Sequence, residues 1–104
     1  MAPEAEAAVP PLAGLPAREA VAAVARALDA AGVEGAARDA RLLLLAALGM
    51  SATDLVREPE RRLAQDEAGR LADFARRRSA HEPVSRILGT RGFYGRTFRI
   101  TPAT

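Results

Sequence analysis

The sequence predicts a mainly α fold: a small bundle of about five helices followed by a C-terminal β-hairpin linker. Three observations carry that prediction. Ala supplies 25 residues, and Leu, Val, Ile, Phe and Met together another 25; such a chain favours helix, and its small side chains let helices approach closely. Apolar residues recur at helical spacing between Gly and Pro breakers as far as Gly89. From Thr90 the period becomes two, with Phe93, Phe98 and Ile100 alternating with Tyr94, Arg96, Arg99 and Thr101 around a turn at Gly95-Arg96. The expected organisation is a flexible tail over residues 1–14, a helical bundle over 15–89 and a hairpin linker over 90–104.

The tail holds three prolines and little periodic pattern. The first helix is expected over residues 16–31, because Pro16 suits a first helical turn and Val21, Val24 and Leu28 share a face. Gly32 ends it, and Val33 is placed to fold back on Leu28 as in a Schellman ending. The second helix spans residues 35–48 and carries Leu42, Leu43, Leu44 and Leu45 in succession. Four consecutive Leu cannot share one helical face. Either three or more neighbours surround this central helix, or one Leu meets solvent or a partner. Gly49 stops it. Ser51 and Asp54 have capping-box spacing, with Met50 and Leu55 placed as a hydrophobic staple. That third helix is brief, because Pro59 forbids continuation. A polar connection over residues 58–65 leads to a fourth helix over 65–79, with Ala68, Leu71, Phe74 and Ala75 on its apolar face. Asp66 and Glu67 at its start and Arg76, Arg77 and Arg78 at its end complement the helix dipole. Pro83 opens a short fifth helix over residues 84–88, ended by Gly89. A hairpin alone is marginal in water, so its aromatic face needs a cover.

Charge and composition exclude several classes. The 15 basic and 13 acidic residues leave a net charge of +2, which is not the footprint of a strong polyanion binder. Every basic residue is Arg, so the high isoelectric point reflects a group that keeps its proton and does not by itself signal nucleic-acid binding. With no Cys there is neither a disulfide framework nor thiolate chemistry. No apolar run approaches a membrane span, and the N-terminus lacks a basic secretory leader. A cytoplasmic protein is the expectation.

The chemistry-bearing residues are few. Arg76-Arg77-Arg78 could meet an acidic partner or phosphates, against the simpler account of a solvated helix end favoured by the dipole. His81 is the sole His and has no second ligand at metal spacing. Gly89, Gly92 and Gly95 form G-x-x-G-x-x-G, but a helix precedes and a strand follows, the reverse of a phosphate cradle. Phe93, Tyr94 and Phe98, flanked by Arg91, Arg96 and Arg99, could stack on bases; packing against a neighbouring domain explains them better. No two carboxylates form an acid and base pair. No catalytic, cofactor-binding or metal-binding residue is expected. The candidate partner or domain interface is Arg77, Arg78, Arg91, Phe93, Tyr94 and Phe98.

Three segments in register carry a resemblance. Asp39-Ala40-Arg41-Leu42-Leu43-Leu44, closed by Gly49, resembles D-A-x-L-L-L…L-G of the HemK/PrmC-type methyltransferases. Arg77-Arg78-x-x-x-Glu82-Pro83-Val84-x-x-Ile87-Leu88-Gly89 resembles their R-R-x-x-G-E-P-x-x-Y-I-L-G. Phe93-Tyr94-Gly95-x-x-Phe98-x-Ile100-x-Pro102 resembles F-W/Y-G-x-x-F-x-V-x-P. His81 stands where the family usually has Gly, Arg86 where it has Tyr, and Gly92 where an acid often precedes the first aromatic. The family methylates the glutamine of the Gly-Gly-Gln loop in bacterial peptide-chain release factors. The resemblance implies an N-terminal release-factor-recognition domain and the hairpin linking it to a methyltransferase domain. The family's I-P-R-P-x-T-E segment, its glycine-rich S-adenosylmethionine loop and its N-P-P-Y motif do not occur up to Thr104. The chain is therefore expected to bind no S-adenosylmethionine and transfer no methyl group by itself. Its expected partners are a release factor and its own methyltransferase domain, with no membrane. A free-standing Arg-rich nucleic-acid-binding module is the alternative, and a purely structural folding domain a third.

Overall fold

The computed structural model describes residues 9–89. They form five helices: α1 (Ala17–Ala30), α2 (Ala36–Leu48), α3 (Ala52–Arg57), α4 (Gln65–Ser79) and α5 (Val84–Gly89). Among the described residues there is no strand, only an isolated antiparallel bridge between Pro16 and Arg62. The mainly α class holds. The expected β-hairpin at residues 90–104 lies outside the described residues.

The pairing of α1 with α2 is built largely from alanine. Ala17, Ala20, Ala23 and Ala27 are buried with Val24 and Leu28 on α1, and Ala36, Ala40 and Ala47 are buried on α2. Small side chains on facing helices allow close approach, and the larger Leu, Val and Phe then fill the space around the contact. The largest fully buried side chains are Phe74, Leu28, Leu43, Leu44, Leu71, Ile87 and Val24. Each contributes roughly 1.5–3 kcal/mol by leaving water.

The backbone of α1 ends in a Schellman motif. Val33 N–H donates to Leu28 C=O at 3.0 Å and Gly32 N–H to Asp29 C=O at 3.0 Å. Gly32 takes φ +83°, a left-handed value that glycine adopts without a Cβ clash. Leu28 and Val33 are both buried, as the hydrophobic half of the motif requires. Helix α2 repeats the ending at Gly49, with Met50 N–H donating to Leu45 C=O at 3.0 Å.

The four successive leucines of α2 are resolved in both of the expected ways. Helices α1, α4 and α5 all pack on α2. Leu43 and Leu44 are fully buried, Leu45 is half-buried, and Leu42 remains 42% exposed. Helix α3 opens with the expected capping box: Asp54 N–H donates to Ser51 Oγ at 3.0 Å, and Ser51 N–H to Asp54 Oδ2 at 3.1 Å. Met50 and Leu55 are both partly buried against the core. Helix α4 has the expected bounds, and its buried residues are Ala68, Leu71, Phe74 and Ala75.

Two segments differ from expectation. Leu12 is buried and Val9 packs against the core, so packing reaches back into the stretch assigned to a flexible tail. The polar connection is more than a loop. Gly14 N–H donates to Leu63 C=O at 2.9 Å, Leu63 N–H to Leu15 C=O at 3.0 Å and Ala17 N–H to Arg61 C=O at 2.7 Å. This two-segment clasp satisfies donors at the start of α1 that no helical carbonyl can reach. It also pins Leu12 and Leu63 over the core.

Candidate functional site

The charged residues that stood out in the sequence converge where α4 turns into α5. Helix α4 ends in a second full Schellman motif: Glu82 N–H donates to Arg77 C=O at 3.1 Å, and His81 N–H to Arg78 C=O at 2.8 Å. The left-handed position that Gly32 fills at the end of α1 is filled here by His81, with φ +69°. It is the residue that departs from the glycine usual in the resembling family.

The apolar contact of a Schellman motif is replaced by an ion pair. Arg77 Nε donates to Glu82 Oε1 at 2.9 Å, and its Nη2 reaches Glu82 Oε2. The fork-on-fork geometry suits a guanidinium and a carboxylate. The Arg77 hydrogen bonds hold the Glu82 carboxyl below the usual glutamate range and raise the guanidinium. A carboxylate so held stays ionised near neutral pH, with both oxygens engaged, so it cannot serve as a general acid there.

Arg78 turns inward instead. Its Nε donates to Asp39 Oδ2 at 3.0 Å and its Nη1 to Glu82 C=O at 3.0 Å. Asp39, in the first turn of α2, is 4% exposed and is the one buried charged residue among the described residues. A buried carboxylate needs a cation and hydrogen bonds, and Arg78 supplies both. Arg76, the third member of the run, stays exposed and pairs with Asp73 one turn back.

Successive residues on a helix point about 100° apart, so three neighbouring arginines go to three places. Two of them hold the corner instead of forming a basic face. Of the candidate interface residues, Arg77 and Arg78 are thus brought together, whereas Arg91, Phe93, Tyr94 and Phe98 lie outside the described residues. Asp39 was not assigned a role from the sequence. The signal for one was present: it falls within the buried stripe of Ala36, Ala40, Leu43 and Ala47, where an acid calls for a partner.

Other charges serve local geometry. Glu67 accepts from Ala64 N–H at 2.9 Å, one half of a capping box. It also accepts from Arg61 Nη1 at 3.1 Å and Nη2 at 2.8 Å. The Arg61 hydrogen bonds, then the Ala64 N–H, lower the Glu67 carboxyl. Arg70 Nε donates to Ala47 C=O at 3.0 Å near the end of α2. Arg18 pairs with Glu60 across the clasp.

Two shallow grooves flank the N-terminal segment. One, along Pro11, Leu12, Ala68 and Ala72, has no titratable side chain. The other contains Glu19 and Arg26, two turns apart on α1. Among the described residues no group of three or more His, Asp or Glu is placed to hold a metal ion. None of the helices is long and apolar enough to cross a membrane among those residues.

The family described as the PrmC N-terminal domain matches residues 19–89. Among similar proteins, a release factor glutamine methyltransferase of Bradyrhizobium diazoefficiens is 52% identical over 77 residues, 74% of this chain and 26% of that protein. One of Agrobacterium fabrum is 50% identical over 68 residues, 65% of this chain and 24% of that protein. One of Caulobacter vibrioides is 40% identical over 67 residues, 64% of this chain and 23% of that protein. The chain thus spans about a quarter of the length of these relatives. No solved structure matches. The match from α1 through α5, together with the Asp39, Arg77, Arg78 and Glu82 motif residues gathered at one corner, places the chain in the family of PrmC N-terminal domains.

Proposed function

We propose that this chain is the release-factor-recognition domain of a cytoplasmic release factor glutamine methyltransferase, and that it grips substrate without performing chemistry. The observation that carries the proposal is the family match over residues 19–89 to proteins of that printed activity, of which the chain spans about a quarter. The geometry is compatible with a binding role. The ionised groups of the motif region are turned onto one another at the α4–α5 corner, not onto a cleft. S-adenosylmethionine and the methyl transfer would belong to a catalytic domain following residues 90–104. Those residues, with Phe93, Tyr94 and Phe98, would form the hairpin linker against it.

The nucleic-acid alternative loses its main support, because Arg77 and Arg78 spend their hydrogen bonds on Glu82 and Asp39. Titrating the 104-residue chain with a peptide-chain release factor tests the proposal. Saturable binding, with no methyl transfer on adding S-adenosylmethionine, is the expected result. No interaction with this chain, together with unchanged release-factor affinity in a full-length relative stripped of its matching region, would overturn it.

A further inference from the structure

The two hydrogen bonds of Arg78 leave α4 in different directions. One goes to Asp39 on α2, the helix at the centre of the bundle. The other goes to the carbonyl of Glu82, the residue immediately before Pro83 and the start of α5. One planar guanidinium thus ties the corner to the bundle. A lysine ammonium, a single point on a flexible stem, lacks the fork that addresses two acceptors in fixed directions.

The corner needs holding. His81 sits in a left-handed conformation that a non-glycine residue adopts at a cost and keeps only when its surroundings fix it. Helix α5 is six residues long, too short to be stable by itself. Its one buried side chain is Ile87, with Val84 and Leu88 partly buried against the core. These few apolar contacts hold α5 to the bundle, and the turn that aims it is set at the corner.

We infer that Arg78 is a positioning residue: anchored on Asp39, it latches the α4–α5 corner and so sets the direction in which the chain leaves the bundle after Gly89. Arg77 and Glu82 close the same turn from outside. The inference rests on contacts within the chain and stands or falls apart from the recognition role proposed above. If that role also holds, the latch fixes the orientation of whatever domain follows the linker.

The chain contains no Cys, so two introduced cysteines can be spin-labelled without background. Ala22→Cys on α1 and Ser85→Cys on α5 are both at exposed positions. The distance distribution between the labels, read by pulsed electron paramagnetic resonance, reports how α5 lies on the bundle. The latched chain should give one narrow distribution. Arg78→Met should broaden and shift it, and Arg78→Lys should also broaden it. Arg76→Met, two residues away and paired with Asp73, should leave it narrow. His81→Gly, which removes the backbone cost, should restore part of the narrowing in the Arg78→Met chain. If Arg78→Met does not fold, Asp39→Asn, of the same size, carries the same expectation. A distribution that stays narrow in whichever of these two variants folds, or broadens equally in Arg76→Met, overturns the inference.

Discussion

The ends of α1 and α4 close with the same backbone hydrogen bonds and opposite chemistry. After α1 the left-handed residue is Gly32, and the side chains that meet across the turn are the buried pair Leu28 and Val33. After α4 the left-handed residue is His81, and the side chains that meet are Arg77 and Glu82. The first corner draws its stability from apolar burial, which salt and pH scarcely touch. The second depends on charges: the partly buried pair Arg77 and Glu82, and buried Asp39 with partly buried Arg78. The bundle is therefore held firmly at the α1–α2 end and electrostatically at the α4–α5 end. Of these two corners, the one that leads on to residues 90–104 is the one sensitive to salt and pH.

The largest expected effect breaks the apolar corner. Leu28→Ala should cost about 4 kcal/mol in urea unfolding, by lost transfer energy and a residual cavity, and the cost should be the same in low and high salt. Arg78→Met should cost about 3 kcal/mol, because it leaves the buried Asp39 carboxylate without its hydrogen-bonded cation, only the exposed Arg38 remaining nearby at 3.9 Å. Adding Asp39→Asn to Arg78→Met should recover much of that loss, since no charge then remains buried. Additive losses in this pair would show that the two residues do not act on each other.

The left-handed positions give a smaller and opposite pair of effects. Gly32→Ala should destabilise by about 1 kcal/mol through backbone strain alone, since a Cβ at that site meets nothing within 4 Å. His81→Gly should stabilise by roughly 0.5 kcal/mol, the relieved strain being partly offset by the greater freedom of unfolded glycine. Thermal melts of the two variants would show shifts of opposite sign.

The smallest effect is a pH dependence at the polar corner. The Glu82 carboxyl lies below its ordinary value of 4.5 in the folded chain because Arg77 hydrogen-bonds the ionised form. A carboxyl lowered by folding contributes stability that is fully present above its unfolded value and lost as pH falls through the folded one. Glu82→Gln should therefore lower the melting temperature at pH 7. The difference from the parent should shrink below about pH 4.5 and vanish under stronger acid. Glu67 and Glu60 are lowered in the same sense by Arg61 and Arg18, so acid should also weaken the clasp in both chains alike.

What the sequence revealed was what lies within one turn of helix. The bounds of α4 and its four buried residues followed from 3.6-residue spacing. The Ser51–Asp54 box and the Leu28–Val33 ending followed from residue type at fixed offsets. Contacts between distant segments were not visible. The clasp joins residues 14–18 to 59–63 largely through backbone groups, which leave no side-chain pattern to read. Leu12 looked like part of a tail because its prolines break any period, yet an extended proline segment can still place one leucine on a core. The Arg76–Arg78 run read most simply as a solvated helix end, because a linear sequence hides the angle that sends neighbouring side chains to different partners. Asp39 and Arg78 lie 39 residues apart, so each was legible as a motif residue and neither as the other's partner.

Arg78 is either spent inside the protein or left for a partner. Its side-chain Nε–H can be followed directly by nitrogen–proton NMR at neutral pH, with the exposed Arg26 as an internal reference. A shifted Arg78 signal that exchanges with water much more slowly than that of Arg26, and loses this protection in Asp39→Asn, is the predicted result. An Arg78 signal that exchanges as fast as that of Arg26 in the unmodified chain would contradict it.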